Sequence, residues 1–201
     1  MPTPNSKPPR IDIPWHKLLG DGLLGFDEAQ LVQLTSSLFN HSLRCIRVNP
    51  RCEHSSLPFQ LQKVPWHDRG YWLTDTNVRP GAFLQYAAGQ YYIQDAASLL
   101  AVSLCDLQPG QKVCDLCAAP GGKATAILDK LAGTGFLLAN EVIHSRMPLL
   151  QAALCRSGWD NFATSQLDAD QLSQALPEKF DCVLVDAPCS GQSMSAMTNK
   201  A

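Results

Sequence analysis

The 201-residue chain has no run approaching the roughly 18 uncharged apolar residues of a membrane-spanning helix, so no transmembrane segment is expected. No secretory leader is expected either. The opening MPTPNSKPPR is polar and proline-rich without an apolar centre, and residues 1–10 read as a disordered leader. Strong charge of one sign is missing. A net charge of −2 does not advertise a nucleic-acid binder, although the first ninety residues are slightly basic and the remainder acidic. The Gly-rich turn at 119–123 reads A-P-G-G-K and not G-x-G-x-x-G, which counts against a dehydrogenase, and there are no internal repeats. Zinc spacing is lacking too. Cys114-x-x-Cys117 spans a strand end and a loop with no second pair, and His41, Cys45, Cys52 and His54 match no common structural site, so no metal is expected. Eight cysteines without a leader point to free thiols in a reducing, cytoplasmic compartment.

What is present suffices for a core: 45% of residues are apolar and 17% charged. Residues 11–40 read as helical. Asp27 and Glu28 open a stretch that places Leu31, Val32, Leu34, Leu38 and Phe39 on one face. Residues 43–48 (LRCIRV) alternate as a strand. Residues 50–90 are rich in Pro, Gly, His and aromatics, with short strands expected near 59–61 and 71–74 and a turn at Arg79-Pro80-Gly81. From Tyr91 the pattern changes. A short strand over 91–94 leads to a helix over 96–105 capped by Asp95, then a turn at 108–110. Strands at 112–116, 135–140, 162–166 and 180–185 alternate with helices at 122–132, 143–157 and 169–176. That alternation predicts an α/β fold with a Rossmann-like, doubly wound parallel sheet over 91–201, preceded by an α+β domain over 11–90.

Residues 115–123, DLCAAPGGK, form a strand end, a tight turn and a helix start. Such a turn presents backbone N–H groups and a helix N-terminus to an anionic ligand group. Gly121 and Gly122 carry no Cβ to block a ligand's approach, and Pro120 stiffens the turn. Doubly wound sheets bind ligands at the carboxyl ends of their strands. Three further acidic positions fall there: Glu141, Asp168 and Asp186. Glu141, 19 residues past Gly122, suits ribose hydroxyls. Asp168 suits either a ligand or the cap of the helix that follows it.

The ordered set DLCAAPGGK, LLANEV and LVDAPCSG resembles the Nop/Sun family of S-adenosylmethionine-dependent RNA (cytosine-5) methyltransferases. GQYYIQDAASLL (89–100) resembles the segment that precedes the cofactor domain in this family, and IRVNP (46–50) a motif of its N-terminal RNA-binding extension. The resemblance implies S-adenosylmethionine as cofactor. It implies that Cys117, Ala118, Ala119, Pro120, Gly121, Gly122 and Lys123 surround its methionine end, that Glu141 holds its ribose and that Asp168 lies near its adenine. Asp186 would line the junction of cofactor and target cytosine. Cys189 would help to resolve a covalent adduct and so release product, while the attacking thiolate of the family lies in a later Thr-Cys motif. No such motif follows Gly191, where the sequence reads QSMSAMTNKA. The chain therefore reads as a C-terminally truncated methyltransferase, expected to be inactive as given, or alternatively as a non-catalytic RNA- or nucleotide-binding remnant. GQS after PCSG implies ribosomal RNA before transfer RNA as partner; a monomer is expected. Arg44, Arg47, Arg51, Lys63, Arg69 and Arg79, interleaved with Trp66, Tyr71, Trp72 and Phe83, are the expected RNA contacts, joining phosphate-binding charge to stacking surfaces.

Overall fold

The structure, a computed structural model, describes residues 43–187 together with Asp27, Ala29, Gln30, Val32 and Gln33. Contacts divide the chain into two units, Met1–Ser42 with Ser190–Ala201, and Leu43–Cys189. In the first unit the expected start of a helix at Asp27 is visible. Asp27 Oδ1 accepts from the Gln30 N–H at 2.8 Å while Gln30 Oε1 accepts from the Asp27 N–H at 2.9 Å, a reciprocal cap. The leader, the apolar positions Leu31, Leu34, Leu38 and Phe39, His41 and Cys189 lie outside the described residues.

The second unit holds two four-stranded sheets. The first is antiparallel and built from β1 (Cys45–Val48), β2 (Leu61–Lys63), β3 (Gly70–Leu73) and β4 (Tyr91–Gln94), in the order β2-β3-β1-β4. A 3₁₀ turn at His54–Ser56, another at Pro80–Ala82 and the one-turn α1 (Leu84–Ala87) fill its connections. β4, expected to open the second domain, instead pairs with β1, with Ile46 opposite Ile93. Its buried Tyr91 joins Ile46, Val48, Leu57 and Leu73 in the core of this sheet.

α2 (Ala96–Leu104) follows, capped by Asp95, whose side chain accepts from the Ala97 N–H. The second sheet is parallel: β5 (Lys112–Asp115), β6 (Phe136–Asn140), β7 (Phe162–Ser165) and β8 (Cys182–Leu184), in the order β7-β6-β5-β8. The connecting helices are α3 (Gly122–Leu131), α4 (Met147–Ser157) and α5 (Ala169–Ala175). The expected helix over 143–157 is split, because Pro148 near the start of α4 leaves the preceding His144–Arg146 as a 3₁₀ turn. Apolar residues of α2, α3 and α4 (Val102, Ile127, Leu128, Leu131, Leu150 and Leu154) pack with Val113, Leu137 and Ala139 on one face of the sheet. Leu172 of α5 packs with Cys114 and Leu138 on the other. The crossover helices therefore change side between β7 and β8, and the strand order reverses beside β5, where such sheets bind their ligands. Among the described residues no helix is long and apolar enough to cross a membrane.

Candidate functional site

Parallel pairing puts the carboxyl ends of β5, β6, β7 and β8 on one edge of the sheet, which brings the DLCAAPGGK turn, Glu141, Asp168 and Asp186 to that edge. One buried side chain sutures three of these ends. Asn140 donates through Nδ2 to the carbonyls of Leu116 (3.1 Å) and Leu167 (2.8 Å), and its Oδ1 accepts from the Ser165 hydroxyl (2.7 Å) and the Leu167 N–H (3.0 Å). Both donors and both acceptor positions of the amide are thereby used.

The turn after β5 rises over two buried carboxylates. Asp115, at the end of β5, is 1% exposed, and neither of its oxygens accepts a hydrogen bond. Burial pushes its carboxyl up to about 7. The Cys117 N–H, near it though outside hydrogen-bonding geometry, and Lys123 oppose the rise, while Asp186 and Glu141 add to it. Glu141, also 1% exposed, accepts from the Ile143 N–H through Oε1 at 2.9 Å. Its Oε2 lies 3.2 Å from Arg146 Nη1 as an ion pair whose angles fall short of a hydrogen bond. A second Arg146 nitrogen donates to the Ala119 carbonyl at 2.6 Å, so this guanidinium joins the Glu141 strand end to the turn. The Cys117 thiol is raised first by burial and then by Asp115, Glu141 and Asp186. The negative charge of this edge is thus concentrated around the turn.

The two glycines of the turn have different tasks. Gly121 has φ of +109°, and a Cβ there would stand 2.6 Å from Ala153 Cβ of α4. Its bareness serves chain reversal and helix packing, not the approach of a ligand as expected from the sequence. Gly122 meets only Tyr92 and Gln94 at ordinary distances, and it lines a cleft. This cleft, of about 240 Å³, runs between Tyr92–Asp95 with Ser98 on one wall and Cys117–Pro120, Gly122 and Lys123 on the other, with Asp186 at its end. Lys123 Nζ holds Asp186 Oδ2 at 2.5 Å. Tyr92 and Gln94 carry no signal of a site role in the sequence; Asp95 reads there only as the cap of α2.

Asp168 is exposed and caps α5. Its Oδ1 accepts from the Gln171 N–H at 2.7 Å, and Gln171 Oε1 accepts from the Asp168 N–H at 3.0 Å. Asp115 and Asn140 went unassigned in the sequence, although each is a polar residue ending an apolar run. Cys114 and Cys45 are buried strand thiols, each raised to about 11 by burial, and His54 stacks on Tyr71.

Two of the expected RNA contacts, Arg47 and Arg69, are structural. Arg47 is 3% exposed and spends its guanidinium inside the protein. Arg69 donates to the carbonyls of Val48, Asn49 and Cys52. Arg51 lies over the Trp159 ring and Lys63 over Tyr71. Trp66, 41% exposed, packs edge-on against Trp72 and donates to the Ala96 carbonyl. Arg44, Arg51, Lys63 and Arg79 are exposed.

Residues 102–200 match the family described as 16S rRNA methyltransferase RsmB/F, and residues 21–96 match the N-terminal domain of 16S rRNA methyltransferase RsmF. Ribosomal RNA small subunit methyltransferase F of Salmonella arizonae is 42% identical over 137 residues, 66% of this chain and 29% of that protein. The Escherichia coli O157:H7 protein of the same name is 39% identical over the same shares. The chain thus spans about 29% of the length of these relatives. A methyltransferase homologue from Pyrococcus horikoshii superimposes with a TM-score of 0.76 at 27% identity, over 89% of this chain and 61% of that one. NSun6 from the same organism gives 0.72 at 16% identity, over 88% and 70%, a likeness of fold. Matching both the N-terminal and the methyltransferase parts in order, the chain belongs to the RsmB/F, or Nop/Sun, family of 16S rRNA methyltransferases.

Proposed function

We propose that this chain binds S-adenosylmethionine at the carboxyl edge of its parallel sheet, as part of an enzyme that methylates carbon 5 of cytosine in ribosomal RNA. One observation carries the reading: two carboxylates, Asp115 and Glu141, stand at adjacent strand ends, each 1% exposed, and both Asp115 oxygens and Glu141 Oε2 accept no hydrogen bond. Buried acceptors without donors are rare and costly, and they mark a place for donor groups from outside the chain. S-adenosylmethionine offers such groups in its ribose hydroxyls and its ammonium, and its positive charge suits an edge that carries Asp115, Glu141 and Asp186. When bound, it supplies an electrophilic methyl on a sulfonium.

The chain's residues then divide the work. Glu141, oriented by Ile143 and Arg146, accepts from ribose hydroxyls. The turn from Cys117 to Lys123 encloses the methionine end. Asp168 offers the oxygen not used in its helix cap to the adenine amino group. Asp186, half exposed and steered by Lys123, orients the target base. Cytosine must be unstacked to reach such a site. Cys189, three residues after Asp186, serves product release by promoting departure of the enzyme thiol.

Calorimetric titration of the full chain with S-adenosylhomocysteine tests this. Binding is expected, with none to NAD, and Glu141→Gln should weaken it by about tenfold or more. Wild-type protein that ignores S-adenosylhomocysteine, or a Glu141→Gln protein that binds it as tightly as wild type, refutes the assignment.

A further inference from the structure

The IRVNP segment places Arg47 on β1, facing the cofactor half of the molecule and not solvent. Its Nε donates to Asp129 Oδ2 on α3 at 2.8 Å, and its Nη2 to the Thr125 hydroxyl at 2.8 Å. Its Nη1 donates twice, to the Gly122 carbonyl at 2.9 Å and to Gln94 Oε1. Those last two acceptors belong to opposite walls of the cleft described above: Gln94 to the β4 wall, Gly122 to the turn. The same seam carries the Tyr92 hydroxyl, which donates to the Pro120 carbonyl at 3.2 Å, with the Arg47 guanidinium 5.6 Å from the Tyr92 ring centre. A planar guanidinium presents several donors in a fixed fork, which no other side chain reproduces.

We propose that Arg47 is a positioning residue for the cofactor cleft: a single buried nitrogen sets the distance between the β4 wall and the start of α3, so that the N-terminal sheet holds the cofactor turn in its binding geometry. The inference rests on the cofactor reading of this cleft. Loss of the fork leaves the β4 wall and the Gly122 carbonyl without their shared donor, and the first turn of α3 opens.

Two readouts on the full chain test it: amide hydrogen exchange over residues 122–125 without ligand, and affinity for S-adenosylhomocysteine. Arg47→Lys keeps the charge beside Asp129 but not the fork. It should speed exchange over 122–125 and weaken binding by about tenfold. Asp129→Asn removes the ion pair and leaves both Nη1 bonds. It should lower Tm but keep exchange over 122–125 and affinity within about twofold of wild type. Should Arg47→Lys fail to fold, Gln94→Met, which frees the β4 wall from the same nitrogen, should give the faster exchange. Equal behaviour of the Lys and Asn variants, or unchanged exchange in Arg47→Lys or in its Gln94→Met substitute, overturns the proposal. If wild type binds no S-adenosylhomocysteine the cofactor reading fails, and the exchange comparison still judges the clasp.

Discussion

Asp115 concentrates the physical tension of the site in one side chain. Its folded-state carboxyl titrates near 7, against an ordinary value of 3.8, chiefly because burial disfavours the charge. The folded protein therefore holds a proton that the unfolded chain releases at lower pH. The stability this contributes is complete below about 4, declines as pH rises towards 7, and is gone above it. Asp115→Asn imitates the protonated form at every pH. In urea titrations from pH 4.5 to 8 the variant should gain on wild type as pH rises, by at most about 4 kcal/mol at the alkaline end. Parallel stability curves for the two proteins would show that Asp115 is not the titrating group. A bound cation beside Asp115 works in the opposite direction, by stabilising its charged form, so ligand should narrow the gap at pH 8. The sequence contains this residue in plain sight, but a polar residue at a strand end is neutral in any pattern of apolar positions. Its meaning comes from Glu141 and Asp186, which lie in other strand-end loops.

At the scale of elements, the strands and helices of the parallel half follow their apolar runs closely, and caps such as Asp95 and Gly158 stand where local chemistry puts them. The differences have local causes. Pro148 shortens α4, and α1 is a single turn whose length leaves no periodic signature. What periodicity could not show is the neighbour each element meets. Gly121 illustrates this: its sequence context suggested space for a ligand, whereas the fold places Ala153 of α4 against it. Gly121→Ala combines a left-handed backbone with a 2.6 Å clash, and should destabilise the protein by about 2–4 kcal/mol in urea unfolding. Gly122→Ala, where φ is ordinary and the nearest atom is 3.4 Å away, should cost less than about 1 kcal/mol. Comparable losses at both positions would contradict the division of roles between the two glycines.

Across the whole molecule the order β7-β6-β5-β8 and the capture of β4 by β1 depend on partners far apart in sequence, so neither was legible from local pattern. Arg47 shows the consequence: a basic residue among aromatics reads as an RNA contact until its partners, 47 to 82 residues away, are known. The same topology leaves β8 at the end of its sheet among the described residues, paired only with β5. Cys182 and Leu184 turn towards the main core, while Val183 is 50% exposed on the opposite face, in an apolar groove with Cys114, Leu116, Leu172, Leu176 and Phe180. Unpaired backbone beside an apolar groove is a template for association. In sedimentation velocity the chain should therefore self-associate as its concentration rises. Val183→Lys puts charge on the exposed face without touching the core, and should shift the onset to at least about fivefold higher concentration with little change in Tm. Leu184→Lys should instead unfold the sheet, because that side chain packs against the main core. If Val183→Lys associates as readily as wild type, the open edge is not the contact surface.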